Sequence, residues 1–336
     1  MTALLEIADL KVHFPMPHGV AEMIAGRQRR VVRAVNGVSL ALNRGETLGL
    51  VGESGCGKST LGRAVLRLIE ATGGAVRFAG ADVLGLDTQA LFAFRRRAQM
   101  LFQDPHASLN PKLTVGEALA EPLRVHKLCP MGEVGARVAR LMETVGLSSD
   151  LADRRPAALS GGQCQRVGIA RALAVGPDLI IADESVSALD VSIQAQILNL
   201  FMRLQREMAL TMVFISHDLG VVRHICETIA VMYLGRIVER GPTEEVFNRP
   251  RHPYTQALIE AIPRMAPDAA LPETVLPGEP PSAIDLPTGC AFHPRCPHAT
   301  AACRADPPPP AIMDGPVEVW CHLYPSARDG GGDNDQ

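Results

Sequence analysis

Gly52-Glu53-Ser54-Gly55-Cys56-Gly57-Lys58-Ser59 is the stretch of this sequence that decides the fold. It fits the phosphate-loop pattern G-x-x-x-x-G-K-[ST], and Thr60 follows it. An apolar run over 47–51 precedes the loop and a helical pattern over 58–69 follows it, as the pattern requires. Glycines let backbone N–H groups turn toward phosphate oxygens, Lys58 would reach the β- and γ-phosphates, and the Ser59 hydroxyl would bind Mg²⁺. The whole stretch with Thr60 is therefore predicted to bind a nucleoside triphosphate.

A second apolar run, 179–182, ends in two acids, Asp183 and Glu184. Strands often end in solvated acids, so this pair alone would carry little weight. Following a phosphate loop, the pair favours a functional role. Asp183 suits Mg²⁺, usually through a water, and Glu184 suits polarising the water that attacks a phosphate. The sequence therefore predicts hydrolysis of the bound triphosphate.

The segment LSGGQ, residues 159–163, stands just before the helical pattern VGIARALAV. Its serine and two glycines at a helix start form a second anion-binding terminus. One nucleotide does not need two phosphate cradles from the same chain. The second cradle is therefore predicted to serve a nucleotide held by a partner molecule, through Ser160, Gly161, Gly162 and Gln163.

Buried strands and helices alternate along the rest of the first 262 residues, which indicates an α/β fold with a mainly parallel sheet. The predicted strands are 3–14, 34–42, 211–216 and two within 228–240 joined at Gly235. The helical patterns are 113–175, 191–208 and a segment from Asp218, and 15–30 is predicted as a loop or insertion. Proline-rich sequence after Pro263 places a boundary there: a nucleotide-binding domain over 1–262 and an extension over 263–336, disordered from about 326.

The composition excludes several classes of protein. The chain has 336 residues, 33 basic and 36 acidic, so its net charge of −3 argues against a protein that coats nucleic acid. No apolar run approaches the roughly 18–20 residues that span a bilayer. The start, MTALLEIADLKVHF, is not typical of a signal peptide, which favours a cytosolic compartment. The eight cysteines are then expected to be thiols or metal ligands rather than a disulfide framework.

Taken in this order, the motifs resemble those of the ATP-binding-cassette (ABC) ATPases. LSGGQ is similar to the signature motif of that family, and Gln103 in LFQDP matches the glutamine of its Q-loop. The segment SALD, ending at Asp190, resembles the D-loop, and His217 in FISHD resembles the switch histidine that contacts the γ-phosphate. Phe14 is the best match to the aromatic residue that stacks on adenine. The resemblance implies Gln103 as a further Mg²⁺ contact and Asp190 as a contact to ATP across a dimer.

The same resemblance implies a fold and an activity. The expected fold is a P-loop NTPase with a RecA-like parallel core, an antiparallel β subdomain and a helical signature subdomain, followed by the Pro/Cys-rich extension. Two residues depart from the family pattern: Cys164 stands where a basic or polar residue is common, and Ser185 where proline is usual. Neither removes a motif residue, so an active ATPase is expected.

Longer strings resemble the ATPases of bacterial dipeptide and oligopeptide importers and their nickel-import relatives. These strings are VGESGCGKSTLGR, FQDPHASLNP, SALDVSIQAQILNL, ISHDLGVV, AVMYLGRIVERG and, most specifically, RHPYTQAL at 251–258. The resemblance implies a second, paralogous ATPase, two membrane permeases and an extracytoplasmic binding protein as partners. It also implies a peripheral position on the cytoplasmic face of the inner membrane. Nickel, glutathione or another solute is the alternative cargo, and a DNA-acting ABC ATPase is a disfavoured alternative class.

Four cysteines crowd into the extension: Cys290, Cys296, Cys303 and Cys321. Their spacing is not the paired C-x₂-C spacing of zinc sites, which weakens zinc without excluding it. Four thiolates can hold a [4Fe–4S] cluster, and the resemblance to peptide-importer ATPases supports that expectation. A metal would also explain how so proline-rich a segment folds. Inert thiols are the remaining alternative.

Overall fold

A computed structural model describes residues 3–17, 29–187, 189–262, 278–309 and 311–324. The strands are β1 (Leu5–Pro15), β2 (Val31–Leu42), β3 (Thr47–Val51), β4 (Gly73–Phe78), β5 (Ala81–Asp82), β6 (Ala98–Leu101), β7 (Leu179–Asp183), β8 (Thr211–Ile215), β9 (Thr228–Tyr233), β10 (Arg236–Pro242), β11 (Ile312–Asp314) and β12 (Val317–Val319). The helices are α1 (Lys58–Val65), α2 (Thr88–Arg97), α3 (Val115–Val125), α4 (Val134–Thr144), α5 (Gly161–Leu173), α6 (Val191–Met208), α7 (Leu219–Ile225), α8 (Thr243–Asn248), α9 (Pro253–Glu260) and α10 (Ala301–Ala305).

Parallel strands form the centre of the larger sheet, in the order β9-β3-β8-β7-β6. Every residue of β3, β7 and β8 is buried, which is why these strands have continuous apolar sequences rather than alternating ones. Their carboxyl ends share one edge of the sheet, where ligands bind in open α/β folds. The phosphate loop, the acid pair and the segments that carry Gln103 and His217 all follow strands at this edge.

A smaller antiparallel sheet has the order β2-β1-β4-β5. Its longest pairing runs from Leu5 opposite Leu42 to Pro15 opposite Val31. The buried face of this sheet packs with β3 and α1 in one apolar cluster. The sheet is the predicted antiparallel subdomain, and it places Phe14 near one end of β1.

Helices α3, α4 and α5 form the helical part of the molecule. Helix α3 begins with a capping box, in which Thr114 and Glu117 each accept a backbone N–H of the other residue. The buried stripes of the three helices share a cluster that includes Leu119, Val138 and Val167. This region corresponds to the helical pattern predicted over 113–175.

The extension adds to the edge of the larger sheet. Strand β10 lies antiparallel to β9 and to β12, and β12 pairs with β11. The Trp320 N–H donates to the Val238 carbonyl at 3.0 Å. The predicted boundary near 263 and the disordered end at 326–336 lie outside the described residues, as does most of the predicted loop over 15–30, and these remain predictions.

The α/β class with its parallel core and its two subdomains is confirmed. The helix predicted over 58–69 is shorter, because Arg67 adopts a left-handed φ of 50° after it. The N–H groups of Arg67 and Leu68 then donate back to the carbonyls of Ala64 and Arg63, which closes the helix. Among the described residues, no helix combines the length and apolarity that a membrane crossing requires.

Candidate nucleotide-hydrolysis site

The phosphate loop follows β3 directly and depends on two of its glycines. Gly52 has a φ of +150° and Gly57 a φ of +107°, conformations that residues with a side chain rarely adopt. A Cβ on Gly52 would lie 2.1 Å from the Met232 carbonyl oxygen, and one on Gly57 2.0 Å from the Ala34 carbonyl oxygen. Both neighbours are backbone atoms, so a side chain at either glycine would have to displace the main chain. The loop therefore requires glycine at these positions.

Lys58 lies within the loop, and its side chain is buried. Its ammonium donates to the Gly52 carbonyl at 2.7 Å and to the Glu53 carbonyl at 3.0 Å. Burial is the main factor that raises the pKa of the neighbouring Cys56 thiol, and Lys58 partly opposes it. Cys56 is therefore a protonated, small side chain beside the loop.

Ser59 and Asp183, the two residues predicted to hold Mg²⁺, are in direct contact. The Ser59 hydroxyl donates to the Asp183 Oδ1 at 2.6 Å. Burial raises the pKa of Asp183, whereas the Ser59 hydroxyl and the Arg63 guanidinium at 3.8 Å oppose that rise. Hydroxyl and carboxylate oxygens are the ligands that Mg²⁺ prefers, so this pair fits the ion.

Glu184 lies at the point where three strand ends meet. Its carboxylate accepts a hydrogen bond from Gln103 Nε2 at 2.9 Å and lies 3.4 Å from His217 Nδ1. Its backbone has a left-handed φ of 45°, held by its N–H bond to the Ile215 carbonyl. Such a conformation in a non-glycine residue is often found at functional sites. Three residues predicted separately from the sequence thus form one cluster.

The LSGGQ helix start lies on the helical part of the molecule. Ser160 caps α5: its hydroxyl accepts from the Gln163 N–H at 3.3 Å, and Gln163 Oε1 accepts from the Ser160 N–H at 2.9 Å. Gly162 packs closely on α6, since a Cβ there would lie 2.5 Å from Ile193 Cγ2. Asp190 is the N-cap residue of α6. The signature serine and the D-loop aspartate thus stand at the starts of two helices in contact.

Phe14 and the two departures from the family pattern have distinct surroundings. Phe14 is 42% exposed near the end of β1, a surface available for a stacking partner. The Cys164 sulfur lies 3.5 Å from His106 Nδ1, so this buried thiol links α5 to the segment after Gln103. The Ser185 hydroxyl is buried and has no hydrogen-bond partner among the described residues.

The four cysteines of the extension share one neighbourhood. The Cys290 N–H donates to the Cys303 carbonyl at 2.8 Å. Burial above all, with the charges of the three other thiols contributing, raises the pKa of Cys321 to about 11. In the described ranges, no three His, Cys, Asp or Glu side chains are placed so that they could hold a metal ion.

Two residues that the sequence analysis did not connect to the phosphate loop contact it. Both belong to the C-terminal region: Tyr254 accepts the Glu53 N–H at 2.8 Å, and Arg295 forms two bonds to the Glu53 carboxylate at 2.7 and 3.0 Å. Tyr254 lies within the string RHPYTQAL, but nothing in that string indicates its target. No sequence pattern singled out Arg295.

This fold, with a phosphate loop, an acid pair, a signature helix and a switch histidine, defines an ATP-binding-cassette ATPase. The family described as "ABC transporter" matches residues 35–187, and "Oligopeptide/dipeptide transporter, C-terminal region" matches residues 238–303. A solved dimer of the ATP-binding cassette MJ0796 with ADP and Pi has a TM-score of 0.63 and 29% identity, and it covers 71% of this chain and 98% of that chain.

Curated relatives match nearly the whole chain. The oligopeptide transport ATP-binding protein OppF of Escherichia coli is 52% identical over 315 residues, 93% of each chain. The dipeptide transport ATP-binding protein DppF of the same organism is 50% identical over 293 residues, 87% of this chain and 86% of the relative. The chain belongs to the family of oligopeptide and dipeptide transport ATP-binding proteins, and it is an ATPase.

Proposed function

We propose that this chain powers the uptake of dipeptides or oligopeptides as the ATP-hydrolysing subunit of a bacterial importer. The cluster of Gln103, Glu184 and His217 beside the phosphate loop supports the hydrolysis. Two observations support the peptide cargo. Residues 251–258, RHPYTQAL, fall within the matched transporter C-terminal region, and the relatives OppF and DppF are named as oligopeptide and dipeptide transport proteins.

The proposed chemistry assigns one task to each part of the site. The phosphate loop from Gly52 to Thr60 holds the triphosphate, and Phe14 stacks on adenine. Ser59 and Asp183, with Gln103, would hold Mg²⁺, which neutralises charge on the phosphate oxygens. Glu184 positions and polarises the attacking water, and the 2.9 Å bond from Gln103 orients its carboxylate. His217 and Lys58 contact the γ-phosphate.

We propose that two such ATPases close head to tail, with the LSGGQ helix start of each on the ATP of the other. Ser160 is exposed at the start of α5, where backbone N–H groups and the helix dipole favour an anion. Asp190 lies in the same interface. The dimeric state of MJ0796 supports this arrangement. The partner ATPase is proposed to be a paralogous chain, which makes the pair a heterodimer.

Closure of the dimer is proposed to move a permease through the Q-loop. A groove of about 390 Å³ lies beside this segment, between α3, α5 and β6, and Met100, Leu101, Ser108, Val125 and Gly168 are among its lining residues. Phe102 and Val125 expose 43% and 56% of their surface there. An apolar groove at this position suits a helix of a permease subunit. Loss of the γ-phosphate contacts after hydrolysis then reopens the dimer.

The partners define the test of this function. The chain should co-purify with two permeases, a second ATPase and a binding protein, at the cytoplasmic face of the inner membrane. In proteoliposomes of that complex, ATP should drive uptake of labelled dipeptides or oligopeptides. Uptake of nickel or glutathione in place of peptides would assign the alternative cargo. ATP hydrolysis stimulated by DNA rather than by the binding protein would overturn the transport function.

We also propose that Cys290, Cys296, Cys303 and Cys321 ligate a metal, with a [4Fe–4S] cluster preferred to Zn²⁺. Their thiol donor set supports this, as does the 2.8 Å hydrogen bond from the Cys290 N–H to the Cys303 carbonyl, which brings two of the four cysteines together. Anaerobic purification followed by assays of iron, acid-labile sulfide and zinc tests the proposal. Protein that lacks all three would exclude it.

A further inference from the structure

Two side chains from the C-terminal region contact Glu53, the second residue of the phosphate loop. Tyr254 on α9 accepts the Glu53 N–H at 2.8 Å. Arg295 approaches the same residue with both of its terminal nitrogens, at 2.7 Å and 3.0 Å from the two carboxylate oxygens. The backbone and the side chain of Glu53 are therefore both held from outside the loop.

These contacts are partly buried and geometrically specific, with the Glu53 side chain 26% exposed. Tyr254 is fully buried, and Arg295 is only 5% exposed. A bidentate pair between guanidinium and carboxylate fixes orientation as well as distance. Because Arg295 is buried, loss of its bonds to Glu53 should cost more than loss of an exposed ion pair.

The segments that carry these two side chains are held by further buried contacts. Glu239, fully buried, accepts the N–H groups of Arg251 and His252 at 2.8 Å each, immediately before α9. The Tyr254 ring packs against Phe292 with ring centres 5.5 Å apart. The Arg295 N–H donates to the Phe292 carbonyl at 3.0 Å, which sets the turn that presents its side chain.

A glycine-rich loop gains affinity for phosphate when it is ordered before ATP arrives. Gly52, Gly55 and Gly57 have no Cβ, so the free loop has more accessible conformations than a loop of other residues. Contacts that restrict the loop lower the entropic cost of binding. The carboxylate of Glu53 also carries a negative charge close to the phosphate cradle, and Arg295 neutralises it.

We propose that Tyr254 and Arg295 are positioning residues that hold the phosphate loop in its ATP-binding conformation through Glu53. The C-terminal region is then part of the nucleotide site, and it sets the affinity for ATP. This inference rests on the proposed binding of ATP at the loop. Once ATP is bound, its phosphates order the loop themselves, so turnover at saturation depends little on the two residues.

The experiment compares Arg295→Gln and Tyr254→Phe in the full-length chain assembled with its partner subunits. The KM for ATP should rise about tenfold in Arg295→Gln and about threefold in Tyr254→Phe, with kcat within about twofold of the wild type. Calorimetric titration of the full-length chain with Mg-ATP should give matching losses of affinity. Arg295→Lys, which keeps the charge without the planar fork, should recover part of the affinity.

Arg223→Gln is the matched control, because the Arg223 guanidinium on α7 also forms two bonds to one carboxylate, that of Glu244 on α8, at 2.9 and 2.7 Å. It should leave the KM unchanged. Glu53→Gln combined with Arg295→Gln should cost no more than the larger single change, since both remove one contact.

A KM unchanged in both variants, or a fall in kcat at constant KM, would overturn the inference. Additive losses in the double variant would do the same. If Arg295→Gln does not fold, Tyr254→Phe and Arg295→Lys carry the test. A wild-type chain that binds no ATP would instead refute the proposed function, so the two failures are distinguishable.

Discussion

Glu53 and Glu184 each bring a carboxylate to the candidate ATP site, but their surroundings differ. Glu53 is paired with a buried arginine, and its N–H is bound by a buried tyrosine. Glu184 is held by the amide of Gln103 and faces His217, whose side chain is 57% exposed. The partners of Glu53 come from the C-terminal region, whereas those of Glu184 follow neighbouring strands.

These surroundings indicate which of the two carboxylates is available for catalysis. A bidentate pair with a buried arginine satisfies both oxygens of Glu53, so that residue suits a fixed structural task. The amide of Gln103 and the imidazole of His217 each contact one side of the Glu184 carboxylate, and a water or a phosphate can replace them. Glu184 also lies in a left-handed conformation that its neighbours enforce. Its carboxylate is therefore ordered and still available for chemistry.

Glu184→Gln should give the largest effect. An amide cannot accept a proton from the attacking water, so ATP hydrolysis should fall by about 10²–10⁴-fold while ATP binding persists. The variant should also accumulate a closed dimer with ATP, measurable by gel filtration. Exposed Glu143→Gln serves as the control and should hydrolyse ATP normally. Undiminished hydrolysis in Glu184→Gln would show that the two glutamates have been assigned the wrong tasks.

Lys58→Ala should weaken ATP binding itself, by about a hundredfold, because a charged donor to the phosphates is lost. Titration with Mg-ATP measures this loss, and exposed Lys127→Ala is the control. The contrast with Glu184→Gln separates binding at the loop from catalysis at the strand end. Full ATP affinity in Lys58→Ala would show that Lys58 does not bind the phosphates.

The strand-end residues could be predicted from the sequence because each belongs to a local pattern. Asp183 and Glu184 follow a continuous apolar run, and α6 matches its predicted bounds of 191 and 208. Parallel strands then bring their carboxyl ends together as a matter of geometry. The meeting of Gln103, Glu184 and His217 follows from that topology, although its distances do not.

The contacts of Glu53 could not be predicted in this way. Arg295 lies 242 residues from Glu53 along the chain, and its surroundings are proline-rich and irregular. Periodicity reports only which face of an element is buried. It carries no information about which distant arginine reaches a given carboxylate. The early end of α1 was missed for a related reason, since nothing in the apolar pattern signals the left-handed φ of Arg67.

His217→Ala tests how loosely Glu184 is held. Loss of the imidazole removes a neighbour 3.4 Å from the Glu184 carboxylate and a proposed contact to the γ-phosphate. ATP turnover should fall by about tenfold to fiftyfold, with the affinity for ATP changed by less than about threefold. Exposed His224→Ala on α7 is the control for steady-state kinetics. A loss of ATP affinity without a loss of turnover would assign His217 to nucleotide binding rather than to hydrolysis.

The smallest expected effect is the pH dependence of stability that His252 contributes. It tests how firmly the segment before Tyr254 is held. Burial lowers the pKa of His252 to about 3, and its Nδ1 accepts the Tyr254 N–H at 3.1 Å. The folded state keeps this imidazole neutral, whereas the unfolded chain takes up a proton as pH falls through the ordinary value. The stability that the neutral histidine allows is therefore present above that value and is lost as pH falls. Between pH 7 and pH 6, the free energy of unfolding should fall by about 0.7 kcal/mol from this residue.

His252→Asn keeps an acceptor for the Tyr254 N–H and removes the titrating group. Urea unfolding at pH 7 and pH 6 should show the wild type losing about 0.7 kcal/mol more than this variant. Burial raises the pKa of the neighbouring Glu239, and because both proteins contain Glu239, its contribution cancels in the difference. Equal pH dependence in the two proteins would mean that His252 opens to water before the chain unfolds. The support of Tyr254, and with it the hold on Glu53, would then be looser than that on Glu184.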